Sequence, residues 1–254
     1  MNWASSRKVI YAFVVLVALV LLGVYGFRDT LFPKATCNDM KQNGYEEGID
    51  CGGLCARKCV DQITPIQVLW ARALPVSPGI YDLAGMLSNR NLDSVPITFA
   101  VTFTVYNANR EVIYSQKIDA VPPSTGDIPV MIQNVKFSEE PKSVIITVEE
   151  GTYYKISPNF QTVQISVTNV SFENGDIPRA YVTIRNVTRN RFINFPVRVV
   201  LYDADQNAIG VGQSFVESLD KQAEKSIPFT WKSQFLNKPV VYKAYPILSP
   251  FPSN

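Results

Sequence analysis

The pattern of apolar and polar residues divides the chain into three parts. Residues 9–27 form an uncharged apolar run, residues 37–59 are polar and contain every cysteine, and the remainder alternates between short apolar and polar runs. In a helix, the apolar run extends about 28 Å, close to the ~30 Å hydrocarbon thickness of a bilayer. Basic residues Arg7 and Arg28 lie at its two ends. We therefore predict a transmembrane signal anchor whose partner is the lipid bilayer.

The anchor prediction also fixes the ends of the first part. Residues 1–8 become a short cytoplasmic stub, because the amino terminus and two basic residues precede the helix. A cleaved signal peptide is the alternative, but it needs a shorter apolar run followed by a small-x-small site. Val24-Tyr25-Gly26 does not provide that site.

The third part contains two segments whose apolar residues repeat with a period of two, as in half-buried strands. Residues 99–113 align without gaps to residues 195–209, and the offset between Tyr106 and Tyr202 is 96. In both segments turn-forming residues follow the alternating stretch. The other predicted strands are residues 67–73, 143–149, 163–170, 180–186 and 240–244.

Strands that recur with turn signals between them, and no helical period after residue 60, suggest antiparallel sandwiches. Each copy spans about 95 residues, a usual size for an immunoglobulin-like sandwich. We therefore predict a mainly β protein with two tandem immunoglobulin-like sandwiches, at 61–157 and 158–254, the second ending in a short proline-rich tail. Trp70 and Trp231 are predicted to be sandwich core residues rather than a sugar-stacking platform.

The composition removes several kinds of chemistry. The chain has no histidine, which excludes Ser-His and Cys-His catalytic pairs and His-ligated zinc. A net charge of +2 gives no reason to expect a nucleic acid partner. Neither a nucleophile with its base nor a paired carboxylate set is recognisable. We predict that the protein is not an enzyme.

The four cysteines are predicted to form two disulfides. They lie at Cys37, Cys51, Cys55 and Cys59, whereas zinc sites usually contain two C-x2–4-C pairs separated by a longer loop. Four cysteines allow three pairings, and the spacing does not choose among them. Because disulfides persist in oxidising compartments, we place everything after the anchor outside the cytoplasm. Residues 28–60 are then a linker that contains a disulfide-rich collar, residues 37–59.

The acidic residues of the collar allow two interpretations. With Asp39 as the first position of an EF-hand loop, Asn43 is fifth, Gly44 is sixth and Asp50 is twelfth. Lys41 at the third position departs from that pattern. The alternative is a polar, turn-rich loop between cross-links. Calcium is the one cofactor that the sequence suggests, and its predicted ligands are Asp39, Asn43, Glu47 and Asp50.

The collar resembles a short cysteine motif of predicted bacterial surface proteins, C-x-D-G-x-x-N-x-x-E-x-x-x-D-C-G-G-x-C. Met40 stands where the motif has glycine. The resemblance implies an extracytoplasmic module beside an anchor and carries no activity. The matching residues are Cys37, Asp39, Asn43, Glu46, Asp50, Cys51, Gly52, Gly53 and Cys55.

The second copy resembles the FxLYD domain family, a class of bacterial immunoglobulin-like sandwiches. Valine replaces the phenylalanine of the family name, and the first copy has Asn107 in place of the aspartate. The resemblance implies a fold and a surface location, without a reaction or a ligand. It is carried by Val199, Leu201, Tyr202, Asp203 and Gly210.

Together these patterns predict a membrane-anchored, extracytoplasmic, non-enzymatic binding or structural protein of the cell envelope, with a protein or glycan of the envelope as its partner. One alternative is a calcium-stabilised adhesive module that binds a surface glycan or protein. Another is an accessory subunit of an envelope enzyme or secretion complex.

Overall fold

A computed structural model describes residues 3–28, 36–156 and 164–249, with side chains from residue 10 onward. The chain divides into two compact units, Met1–Cys59 and Val60–Asn254. The boundary predicted between the two copies falls largely outside the described residues, as does most of the proline-rich tail.

The described residues of the first unit form a long helix, α1 (Trp3–Gly26), and the collar. The large apolar side chains of α1 are exposed on all sides, from 39% for Val17 to 72% for Tyr25. No part of the chain that the structure describes covers them. Among the described residues, no helix has both the length and the apolar character needed to cross a membrane.

The second unit is built from antiparallel strands, which confirms the predicted mainly β class. It begins with a short 3-10 turn at Val60–Gln62. The strands are β1 (Gln67–Ser77), β2 (Ile80–Asn89), β3 (Ser94–Pro96), β4 (Phe99–Tyr106), β5 (Val112–Asp119), β6 (Gly126–Lys136), β7 (Ser143–Glu150), β8 (Tyr153–Lys155), β9 (Ile165–Glu173), β10 (Arg179–Asn186), β11 (Phe192–Tyr202), β12 (Ala208–Leu219), β13 (Glu224–Thr230) and β14 (Val241–Pro246).

The strand order is the same in the two halves of this unit. The sheet β1-β2-β6 corresponds to β9-β10-β13, and the sheet β5-β4-β7 corresponds to β12-β11-β14. A short ribbon, β3-β8, has no described counterpart. In each half the two sheets share an apolar core, represented by Leu83 and Phe103 in the first and by Val182 and Val199 in the second. The period-two pattern arises because alternate side chains point into these cores.

The repeat also includes the backbone conformation of individual residues. Arg110 follows β4 with a φ of 65°, and Gln206 follows β11 with a φ of 60°. These positions are 96 residues apart, which is the offset seen in the sequence. Left-handed residues are uncommon outside glycine, so a matching pair marks the same turn in both hairpins.

The central strands β2 and β11 are buried on both faces, because the two halves pack against each other. Leu83 and Leu87 point into the first core, while Ala84 and Met86 join a third apolar cluster on the opposite face. Val200 of the second half belongs to this third cluster and is fully buried. The outer face of sheet β1-β2-β6 therefore lies against the outer face of sheet β12-β11-β14.

Candidate functional site

All four cysteines are disulfide-bonded, and the fold selects one of the three pairings. Cys37 is bonded to Cys55 with Cα atoms 5.7 Å apart, and Cys51 is bonded to Cys59 with Cα atoms 5.0 Å apart. The bonds overlap along the chain, so the second begins inside the loop closed by the first. Cys55 and Cys59 are buried at 2% and 6% exposure and form the centre of the collar.

Asp50 stabilises the beginning of the collar. Its carboxylate is buried and accepts hydrogen bonds from the backbone N–H of Asp39 at 2.8 Å and of Met40 at 3.0 Å. Met40 and Asp50 both have positive φ values, 58° and 54°. The carboxylate thus stabilises a tight approach of two chain segments.

Asp39 and Asn43 form a second polar contact beside it. The Asn43 amide Nδ2 donates to Asp39 Oδ2 at 2.8 Å, and the Lys41 N–H donates to Asp39 Oδ1 at 3.0 Å. The bond from Asn43 is the largest cause that lowers the pKa of Asp39 below its ordinary value. Glu46 Oε2 accepts from the Asn43 N–H at 3.1 Å. These groups are therefore hydrogen-bonded to one another within the loop.

The described residues do not bring the carboxylates of the predicted calcium set together as a group. The one set of three potential ligands within 4.8 Å of one another in that part of the chain is Cys37, Glu46 and Cys55. The two cysteines share a disulfide and offer no thiolate. Asn43 Oδ1 is buried without a hydrogen-bond partner in the described structure. The calcium set remains a prediction, while Asp39 and Asp50 are seen to bond the backbone.

The glycine pair after Cys51 is required by close backbone contact. Gly52 and Gly53 have φ values of 75° and 53°. A Cβ atom on Gly53 would lie 1.5 Å from the Tyr45 carbonyl oxygen, which no side chain can tolerate. This explains in physical terms why the sequence has two glycines here, and it places Tyr45 beside the Gly53–Leu54 segment.

A buried asparagine connects three segments in each sandwich. Asn89 ends β2 at 1% exposure, and its Nδ2 donates to the carbonyl oxygens of Pro123 at 2.8 Å and Ser94 at 3.2 Å. Asn186 ends β10 at 0% exposure, and its Nδ2 donates to Asn190 O at 2.7 Å and Asp220 O at 2.9 Å. Asn186 Oδ1 also accepts from the Thr188 N–H at 2.9 Å, so both ends of the buried amide are hydrogen-bonded and Asn186 has a structural role.

The turn at Asp203 connects the paired strands β11 and β12, and the Asp203 carboxylate is buried. Asp203 Oδ1 accepts from the N–H of Asn207 at 2.8 Å and of Asp205 at 3.1 Å, and Oδ2 accepts from Asn237 Nδ2 at 3.0 Å. The bond from Asn207 is the first cause that lowers the pKa of Asp203. The equivalent Asn107 bonds its own loop in the same way.

Polar groups from both sandwiches meet at the junction between them. Arg198 Nε donates to Gln213 Oε1 at 2.8 Å, and its Nη1 donates to the Pro129 carbonyl of the first sandwich. Burial lowers the pKa of Arg198 to about 10, so it remains a cation at neutral pH. Ser233 Oγ donates to Val76 O at 2.6 Å. These bonds hold the two halves in one register.

A groove with a volume of about 390 Å³ lies at one end of the junction between the two sandwiches. Beside it, Trp231 is half-buried, donates to Val211 O at 2.8 Å and packs against Phe235 at 5.5 Å. Trp70 is also half-buried and packs against the third apolar cluster and Tyr202 at the junction, whereas Trp231 packs against the core of the second sandwich. The groove is lined mainly by apolar residues, including Leu74, Pro75, Val76, Phe235 and Leu236.

The sequence patterns do not identify the residues that organise the second unit. Asn89 and Asn186 are polar residues at the ends of apolar strands, and their spacing of 97 nearly equals the repeat offset. This near match between the asparagine spacing and the repeat offset is the sequence signal that could identify the two residues. The sequence carries no comparable signal for Arg198, because an arginine on the polar face of a predicted strand normally points to solvent.

Comparisons with known proteins provide no family. No family model matches the chain, and no curated protein matches it. A solved structure titled as a beta-glucuronidase from glycoside hydrolase family 2 is 12% identical, with a TM-score of 0.22. The match covers 66% of this chain and 24% of that protein, so this chain aligns to about a quarter of its length. Values this low carry no conclusion, and a function must be inferred from the residues of this chain.

Proposed function

We propose that this protein is a non-enzymatic component of the cell envelope, anchored in the membrane by the apolar run of residues 9–27, although the described part of α1 alone lacks the length and apolar character of a membrane span. The anchored chain presents two immunoglobulin-like sandwiches to an extracytoplasmic partner. The observation that carries the proposal is the exposure of apolar side chains around the whole circumference of α1, from Ile10 to Tyr25. An apolar surface of this kind is stable in lipid and unfavourable in water.

The disulfides support the location. Both pairs have Cα separations within the usual range, and the described chain contains no free cysteine. A collar that depends on two disulfides requires an oxidising compartment to form. This favours a position of the collar and the sandwiches outside the cytoplasm.

The sandwich connections support the immunoglobulin-like assignment. In the first half the chain passes from β2 to the opposite sheet at β4 and β5, returns at β6, and crosses again to β7. The second half repeats this path with β10, β11, β12, β13 and β14. Such alternation between two antiparallel sheets is typical of immunoglobulin-like sandwiches.

The buried ionisable groups support a binding or structural role. Asp50, Asp82 and Asp203 each accept a hydrogen bond from a backbone N–H. Carboxylates bonded in this way stabilise the conformation of the loops that they contact. The proposed partner is a protein or a glycan of the envelope that contacts the sandwich surface.

The location can be tested on membranes from cells that express the full chain. We expect the protein to remain in the pellet after alkaline carbonate extraction, and a maleimide mass tag to react with four thiols only after reduction. The control is Leu16→Arg combined with Val20→Arg, which should release the protein. Release of the unaltered chain, or four reactive thiols before reduction, would overturn the proposal.

A further inference from the structure

The collar exposes large apolar side chains although it is a folded, cross-linked segment. Met40 is 83% exposed, Tyr45 77%, Ile49 60% and Leu54 80%. The interior of the collar is already filled by disulfide sulfurs and by the bonded carboxylate of Asp50. These four residues, the apolar collar surface, therefore cannot turn inward without breaking the cross-linked structure.

Two of the four residues emerge from neighbouring backbone positions. The Tyr45 carbonyl lies against the α-carbon of Gly53, and Leu54 follows directly. Tyrosine combines an apolar ring with a hydroxyl that prefers water, a combination that suits the boundary between acyl chains and headgroups. The Tyr45–Leu54 pair is thus the centre of the apolar collar surface.

The length of chain between α1 and the collar limits how far apart they can be. Arg28 ends the described helical segment, and Thr36 begins the described collar segment, eight residues later. Eight residues reach at most about 29 Å when fully extended. If α1 is in the membrane, the collar is tethered to that membrane at a distance smaller than the thickness of the bilayer.

We propose that the apolar collar surface contacts the lipid surface of the same membrane, with Tyr45 and Leu54 entering the boundary between headgroups and acyl chains. This inference rests on the proposed anchoring function. Lipid is favoured over a protein partner because only eight residues separate Thr36, where the described collar segment begins, from Arg28 at the end of a helical segment that is itself apolar on all sides, so the tether holds the surface near the bilayer.

The inference is tested with a photo-reactive residue in the full chain, reconstituted in nanodiscs of phosphatidylcholine and phosphatidylglycerol. p-Benzoylphenylalanine replaces Tyr45 or Leu54, and Leu16 in α1 serves as the lipid-embedded reference. Ile177, between β9 and β10 and 54% exposed, is the matched exposed control. Each variant is first shown to have no reactive thiols before reduction. After irradiation, lipid adducts are identified by mass spectrometry.

We expect lipid adducts at Leu16, Tyr45 and Leu54 and none at Ile177. Adducts at Leu16 without adducts at Tyr45 and Leu54 would overturn the inference and leave the anchor in place. The absence of adducts at Leu16 would remove the anchor and the inference together. Cross-links from Tyr45 or Leu54 to a second copy of the chain, or an adduct yield at Ile177 equal to theirs, would also count against lipid contact.

Discussion

The collar and the sandwiches are stabilised by opposite means. In the collar, two disulfides and a buried carboxylate occupy the interior, and the large apolar residues Tyr45 and Leu54 are exposed. In the sandwiches, apolar side chains such as Phe103 fill the interior, and the buried amides of Asn89 and Asn186 bond several loops. A segment of this size cannot bury enough apolar surface to fold without cross-links, whereas domains of about 100 residues can.

The largest effect is expected from the sandwich core. Phe103→Ala should lower the free energy of unfolding of the sandwiches by about 3–5 kcal/mol, because a fully buried ring is lost and a cavity remains. Denaturant unfolding followed by tryptophan fluorescence measures the change. The matched control is Val112→Ala, since Val112 is 56% exposed. Equal losses in the two variants would contradict the assignment of Phe103 to the core.

The second prediction separates the collar from the sandwiches. Cys51→Ser combined with Cys59→Ser should destabilise the collar by roughly 2–4 kcal/mol, the usual contribution of a native disulfide. We expect faster protease cleavage within residues 37–59, mapped by mass spectrometry. The unfolding transition of the sandwiches should not move. A large shift of that transition would show that the sandwiches depend on the collar.

The third prediction concerns the buried asparagines. Asn186→Ala should lower the stability of the sandwiches by roughly 1–3 kcal/mol, because buried carbonyls and N–H groups lose their partner. Asn190→Ala changes an exposed side chain nearby and should have little effect on the melting temperature. Asn89→Ala should reproduce the loss in the first sandwich. A neutral Asn186→Ala variant would argue against its role in connecting the loops.

The fourth prediction distinguishes the two interpretations of the collar carboxylates. Asp50→Asn should weaken the collar by about 1 kcal/mol, because one acceptor oxygen is replaced by a donor that faces the Met40 N–H. Its protease sensitivity should rise equally with calcium and with a chelator. If calcium instead protects the unaltered collar and not the variant, Asp50 acts as a calcium ligand.

The smallest expected effect is a difference in acid sensitivity between the equivalent turns at Asn107 and Asp203. Hydrogen bonds lower the pKa of Asp203 in the folded protein, so its contribution to stability is present above the ordinary aspartate pKa and is lost as the pH falls through the lowered value. Asn107 occupies the equivalent turn and does not titrate. Asp203→Asn should therefore reduce the loss of melting temperature between neutral and acidic pH. An unchanged acid dependence would indicate that other carboxylates dominate it.

Much of the second unit was predictable because its signals are local. The alternation in residues 99–105 and 195–201 arises because alternate side chains of each strand enter a sandwich core, and both segments are strands. Residues 163–170 and 240–244 were placed within a few residues of β9 and β14. The burial of both faces of β2 was not predictable, because it depends on contact with a strand more than a hundred residues away.

The sequence predicts which residues belong to the candidate site, but it does not predict how they are arranged in space. The cysteine spacing indicated two disulfides, but the pairing of Cys37 with Cys55 depends on a backbone path through Gly52 and Gly53. The sequence identifies the acidic residues of the collar. Whether their carboxylates accept backbone hydrogen bonds or bind an ion depends on the distances between the carboxylate oxygens in the folded chain, which the sequence does not give.

The sequence by itself determined the β class, the repeat offset, the cross-linked collar and the apolar run of the helix, because each depends on residue type and spacing along the chain. The tertiary structure alone decided the disulfide partners, the buried asparagine connections and the junction that encloses Arg198 and Val200. These features join segments that are distant in sequence. Their energies come from mutual burial and hydrogen-bond geometry, which exist only once the chain has folded.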